Sequence, residues 1–169
     1  ARGEQRLAGV QQVQVGQQLD ELVGAAALDP RLTASTDLAH VLDGAPVICS
    51  VAPSHVTRTL FQRAAPLVRE GTQLVCATKG IEPDSLALMS DVAAEVLPQA
   101  PFIALSGPSF ADEVHQGQPT AVVAASADAA ACEAVQQLFS TPYFRVYTGS
   151  DVVGVELAGR RVRRLLDLR

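Results

Sequence analysis

The sequence has no tryptophan, and aromatic residues make up only 4% of its 169 positions. Its core must therefore be built from Ala, Val and Leu, which suits an α/β sandwich better than a small all-β domain. No apolar run approaches the about 18 residues of a membrane span, and the glutamine-bearing start lacks the apolar stretch of a signal peptide. The three cysteines, Cys49, Cys76 and Cys132, lie far apart with no C-x-x-C pair, which argues against a zinc site or a disulfide framework. They read as small buried residues of a reducing compartment, and the expected location is cytoplasmic. No Gly-x-Gly occurs anywhere, and lysine occurs once, at Lys79, against twelve arginines.

Charged residues are 18% of the chain, apolar residues 48%, and the net charge is −5. That balance is globular rather than disordered and excludes general nucleic-acid binding. Charge is unevenly spread. Residues 160–169 hold five arginines and one aspartate, a balance of +4, which leaves −9 for residues 1–159. Such a tail is either a solvated cluster or a contact for an anionic partner.

From residue 32 onward, strand and helix signals alternate. Leu32–Ser35 is a short extended candidate, and Thr36 is placed to cap a helix over 37–42 that stops at Gly44. Strands are expected at 46–51, 73–77, 102–105, 120–125 and 144–147. Between them, Ser54 would cap a helix with Val56, Leu60 and Ala64 on one face, ended near Pro66. A helix over 85–97 would bury Leu86, Met89, Val92 or Ala93, and Val96, and one over 127–139 would bury Cys132, Val135 and Leu138. Strands separated by helices of this length imply crossover connections and a largely parallel sheet. The ends break the rhythm, so the expected organisation is a segment 1–26, a body 27–159 and a basic tail 160–169.

Three polar turns each follow a strand: Pro53-Ser54-His55, Thr78-Lys79-Gly80 and Ser106-Gly107-Pro108-Ser109. In a parallel sheet, strand carboxyl ends share one rim, where ligands bind. A helix start offers free N–H groups to an anion, and a lysine ammonium is a compact charge suited to a phosphate or hydroxyl oxygen. Glycine permits close backbone approach, and serine hydroxyls can hold phosphate or diol oxygens. Each turn taken singly could equally be an ordinary cap or bend. No Gly-x-Ser-x-Gly elbow is present, and no His/Asp pair is spaced to complete a hydrolase triad.

Taken in order, Val51-Ala52-Pro53-Ser54-His55, Ala77-Thr78-Lys79-Gly80, Ser106-Gly107-Pro108-Ser109-Phe110-Ala111, Gly117-Gln118-Pro119-Thr120-Ala121 and the stretch from Phe144 through Asp151-Val152-Val153-Gly154-Val155-Glu156-Leu157 resemble the bacterial NAD(P)-dependent sn-glycerol-3-phosphate dehydrogenases over about residues 28–159. The resemblance implies an α/β, Rossmann-like domain: a mostly parallel sheet with helices on both faces. It is incomplete, lacking the first strand with its glycine-rich loop and the C-terminal helical domain. The implied activity is reduction of dihydroxyacetone phosphate to sn-glycerol 3-phosphate in glycerophospholipid synthesis, with NAD or NADP as cofactor. By the same resemblance Lys79, Gly107 and Ser109 bind substrate, while Pro53, Ser54, Lys79 and Ala111 touch the cofactor. No metal is implied. The partner is a small-molecule substrate, without nucleic acid or an integral membrane segment, and the intact enzyme is a possible homodimer.

Two departures stand out. The family's pyrophosphate loop has no counterpart motif, and the position of its proton-transferring lysine falls at Val162, so no catalytic residue is retained. The breaks are abrupt, as in a truncated or frame-shifted reading frame, and imply a fragment with little or no activity. The alternatives are another dehydrogenase of small hydroxy or keto acids and a non-catalytic nucleotide-binding module using the basic tail.

Overall fold

The computed structural model describes residues 32–166, with side chains described through Gly159. Residues 1–31 and 167–169, which include the expected N-terminal segment 1–26, lie outside the described residues. Two compact units divide between Val41 and Leu42. The first, within its described part, contains the start of α1 (Leu38–Leu42). Asp37 caps this helix rather than Thr36, because its Oδ1 accepts the Ala39 N–H at 3.0 Å while its own N–H donates to Ser35 Oγ. Leu32–Ser35 forms no strand.

The second unit runs β1 (Val47–Ser50), α2 (Ser54–Ala64), β2 (Gln73–Cys76), α3 (Met89–Val96), β3 (Phe102–Ser106), α4 (Ala111–His115), β4 (Thr120–Ala125), α5 (Ala129–Phe139), β5 (Phe144–Gly149) and α6 (Val152–Leu166). The five strands lie in sequence order. β1, β2 and β3 are parallel, β4 runs antiparallel to β3, and β5 is parallel to β4. The link between β3 and β4 carries only the five-residue helix α4, and an antiparallel pairing needs no longer crossover.

Alternation along the strands divides the core into two layers. Leu74 and Cys76 pack with Phe61 of α2 and Met89, Val92 and Ala93 of α3. Val75, between them, packs on the other face with Ile103, Leu105, Val122 and Val146 against Cys132 and Val135 of α5. Helices therefore cover both faces, as the resemblance implied. Each large side chain removed from water here contributes about 1.5–3 kcal/mol.

Several local expectations are corrected. Ser54 is the first residue of α2, not its cap, and that place falls to Pro53, which has no side-chain cap bond. The helix expected over 85–97 begins only at Met89. Leu86 takes a left-handed φ of 60°, and the Glu82 and Ala87 backbones close a turn around it. Leu86 consequently points outward, 68% exposed. α5 starts at Ala129, where Asp128 Oδ1 accepts the Ala130 and Ala131 N–H groups, and Leu138 lies on its outer face. Cys49 is exposed, while Cys76 and Cys132 are buried. β1 has no strand on its outer side among the described residues, and Cys49 lies on its uncovered face. The α6 backbone runs through residue 160 to Leu166.

Candidate functional site

The carboxyl ends of β1, β2 and β3 share one rim because these strands are parallel. At the first, Pro53 stands at the N-cap of α2. Its carbonyl accepts the Val56 N–H and the Thr57 hydroxyl, both at 3.0 Å. The Ser54 hydroxyl is not consumed as a cap, and the amides of Ser54 and His55 have no acceptor within the helix.

The second turn folds directly onto the first. Ala77 donates its N–H to the Ser50 carbonyl, and the Thr78 hydroxyl donates to the Ala52 carbonyl at 2.8 Å. Gly80 has a φ of 122°, and a Cβ there would stand 3.2 Å from Ser54 Oγ. Only glycine combines that backbone with that approach.

The third turn is reached by Lys79, whose Nζ donates to the Gly107 carbonyl at 3.3 Å. The same carbonyl accepts the Ser109 N–H at 2.9 Å and lies 3.5 Å from Ser109 Oγ. Gly107 in turn lies on β4: a Cβ would stand 2.7 Å from the Ala121 carbonyl oxygen and 2.9 Å from Val122 Cα. This brings the Gly117–Ala121 motif to the same rim, at the amino end of β4.

Ser54, Lys79, Gly107 and Ser109 thus converge, with Pro53 beside them. Lys79, Ser54 and Ser109 are each partly buried. Ala111 stands apart, exposed at the first turn of the short helix α4. Val162 falls on α6, three residues beyond Gly159, which is buried against Ser106. His55 is exposed on α2. The buried thiols of Cys76 and Cys132 are pushed up by desolvation, which keeps them as unreactive thiols.

Three features were missed from sequence. Ser50 closes β1 with a buried hydroxyl that has no partner among the described residues. Arg58 of α2 grips Glu82, with Nε–Oε1 at 2.7 Å and a second nitrogen on Oε2 at 3.0 Å, and also reaches Glu95 of α3. Glu156 of α6 accepts the Ser90 N–H at 3.1 Å and the Ser90 hydroxyl at 2.5 Å. A signal for the last existed: a single carboxylate in the apolar stretch Val152–Leu157 must find a buried partner. Among the described residues, no helix is long and apolar enough to cross a membrane, and no three His, Cys, Asp or Glu side chains group to hold a metal. A concavity of about 370 Å³, lined by Val114, Gly117, Gln118, Phe139, Tyr143 and Phe144 among others, takes in the start of the Gly117–Ala121 motif but not Pro53, Ser54, Lys79, Gly107 or Ser109.

Residues 4–132 match the family described as NAD-dependent glycerol-3-phosphate dehydrogenase N-terminus, a match that takes in most of the segment 1–26. The glycerol-3-phosphate dehydrogenase [NAD(P)+] of Geobacter metallireducens is 53% identical over 131 residues, 76% of this chain and 39% of that protein. The protein of the same name from Geobacter sulfurreducens is 51% identical over 135 residues, 78% of this chain and 40% of its own. In structure, glycerol-3-phosphate dehydrogenase from Coxiella burnetii superimposes with a TM-score of 0.74 at 36% identity, covering 78% of this chain and 40% of that one. The chain spans about two fifths of the length of the curated relatives it matches. It belongs to the NAD-dependent glycerol-3-phosphate dehydrogenase N-terminal family.

Proposed function

We propose that this chain is the dinucleotide-binding part of an NAD(P)-dependent sn-glycerol-3-phosphate dehydrogenase, which reduces dihydroxyacetone phosphate to sn-glycerol 3-phosphate for glycerophospholipid synthesis. The observation that carries the reading is the contact of Lys79 Nζ with the Gly107 carbonyl, which draws two strand-end turns into one polar rim. An ammonium has three donors. One is spent on Gly107, and the others remain for a substrate hydroxyl or phosphate oxygen and for the cofactor.

The residues at hand fit the cofactor along this edge. Pro53 and Ser54 would lie along the dinucleotide beside the first-turn amides of α2, the Ser50 hydroxyl, without a partner among the described residues, offers a buried group, and Gly80 keeps the Ser54 side clear. Ala111 adds a backbone contact. Gly107 and Ser109 would orient the substrate against Lys79. When bound, the nicotinamide supplies a hydride. Carbonyl reduction also needs a proton for the oxygen, and a valine at 162 cannot give one. The chain's own work is therefore binding and orientation, with little or no turnover.

The unpaired cysteines agree with a cytoplasmic location, and the resemblance brings a homodimer for the intact enzyme. The test is NADH and NADPH oxidation with dihydroxyacetone phosphate, read beside cofactor binding by fluorescence. Saturable binding with background turnover is expected. Robust turnover would overturn the loss of the proton donor, and absence of any cofactor binding would overturn the dinucleotide reading.

A further inference from the structure

Helix α3 starts without a cap of its own. The N-cap position is Leu88, which has no polar side chain, although its N–H is taken by Asp91 Oδ2 at 3.2 Å. The amides of the first turn are supplied instead from sequence position 156, on another helix. Glu156 of α6 places one oxygen on the Ser90 N–H and the other on the Ser90 hydroxyl, and its carboxylate is also close to the Met89 amide. One turn further along α6, at the same face, Gly159 is buried so tightly on Ser106 that a Cβ there would collide with Ser106 Oγ. Ser106 leads straight into Gly107, the acceptor of Lys79.

We propose that Glu156 is a positioning residue: by latching α6 onto the α3 N-terminus it seats Gly159 on Ser106 and so holds the Gly107 carbonyl where Lys79 meets it. Two anchors three residues apart on one helix fix both its rotation and its axial position, since a helix rotated by one residue turns about 100° and moves about 1.5 Å. Release of the Glu156 anchor removes the polar tie to α3, while the Gly159 contact opposes approach but not withdrawal. The bond pattern is reciprocal in effect. α3 gains the cap its own sequence does not provide, and α6 gains a fixed registry over the end of β3.

The carboxylate sits in a crowded electrostatic setting. Asp91 of α3 is the charged neighbour on the capped helix, and the Cys76 thiol of β2 faces it from the sheet. Burial and Asp91 both push the Glu156 carboxyl up, against the pull of the Ser90 bonds.

The functional weight of the latch rests on the proposed reading of the rim, but the two can fail separately. Hydrogen exchange on the full 169-residue chain decides the latch. In Glu156→Ala, amides of residues 106–111 should exchange about fivefold faster or more, the scale of about 1 kcal/mol of local opening, while β2 and α5 keep their protection. Glu156→Gln retains a carbonyl for the Ser90 N–H and an amide for its hydroxyl, and should restore the slow exchange. Ser90→Ala, a milder change, should give an intermediate acceleration confined to the same segment. An unchanged loop, a uniform rise over the whole chain, or failure of the Gln variant to restore protection would each overturn the latch. NADH titration of the same variants addresses the rim reading: a wild-type chain that binds no NADH fails that reading and leaves the exchange result standing.

Discussion

Gly107 lies face to face with the backbone of β4, where a Cβ would sit 2.7 Å from the Ala121 carbonyl oxygen. Neither side of that contact is the free end of a flexible chain, so neither can move aside cheaply. Gly107→Ala should therefore push the Ser106–Ser109 turn off the sheet. Overpacking of this kind costs about 1–3 kcal/mol. The expected outcome is a lower midpoint in urea unfolding at unchanged slope, together with loss of the Lys79 contact. An unaltered midpoint would mean that the turn relaxes without cost.

On the proposed reading of the rim, arginine should not substitute for Lys79. Lys79→Ala removes a charged donor from the rim, and bonds to charged groups are worth about 1.5–3 kcal/mol, or about 10- to 100-fold in affinity. Lys79→Arg should fail to restore it, because the planar guanidinium needs more room than the ammonium beside Gly107. Calorimetric titration with glycerol 3-phosphate in the presence of cofactor measures both, and full affinity in either variant would remove Lys79 from the site.

Arg58 staples the loop that carries Lys79. Its paired bonds to Glu82 hold that carboxyl below the usual carboxylate range, first through the side-chain bond from Arg58 and then through Ser85. A depressed folded value means that the unfolded chain takes up protons first. The stabilisation is then present above the unfolded value near 4.5 and is lost as pH falls through the folded one. Arg58→Ala should lower the melting temperature at pH 7 and flatten its acid limb. Parallel melting curves for both proteins from pH 7 to pH 3 would expose any other behaviour.

Glu156 should titrate in the opposite sense. Its folded value is raised, with burial as the largest cause, so the folded chain holds the proton longer than the unfolded one. Its contribution is most favourable below about pH 4.5 and declines as pH rises through the folded value. Glu156→Gln, which keeps the bonds without the charge, should match wild type in acid and exceed its melting temperature at neutral pH. Equal melting temperatures at pH 7 would contradict that sign.

Much of this was legible in the chain. The continuous apolar runs Gln73–Cys76 and Phe102–Ser106 announce buried strands, because a parallel strand covered on both faces leaves no polar alternation to read, and Val47–Ser50 carries the same pattern at the edge although Cys49 is exposed. The turns that follow them announce a rim. The helix starts were less legible. Ser54 and Thr36 have the right chemistry for caps, but Pro53 and Asp37 took those places, since cap choice depends on where the backbone first leaves the extended region. Leu86 looked like part of an apolar stripe and became an exposed left-handed turn residue instead, because the closure from Glu82 to Ala87 outweighed helix propensity.

By itself the sequence determined the α/β alternation, the order of the strands along the chain and the identity of the polar turns, all of which depend on local periodicity and turn chemistry. Only the tertiary structure decided that β4 reverses direction beside β3, that Gly80 rests against Ser54, that Lys79 spends a donor on Gly107, and that Glu156 caps a helix 66 residues earlier. Those pairings join residues distant in sequence through contacts a few ångströms wide. Local pattern is silent about them, because only the packed sheet sets which ends meet.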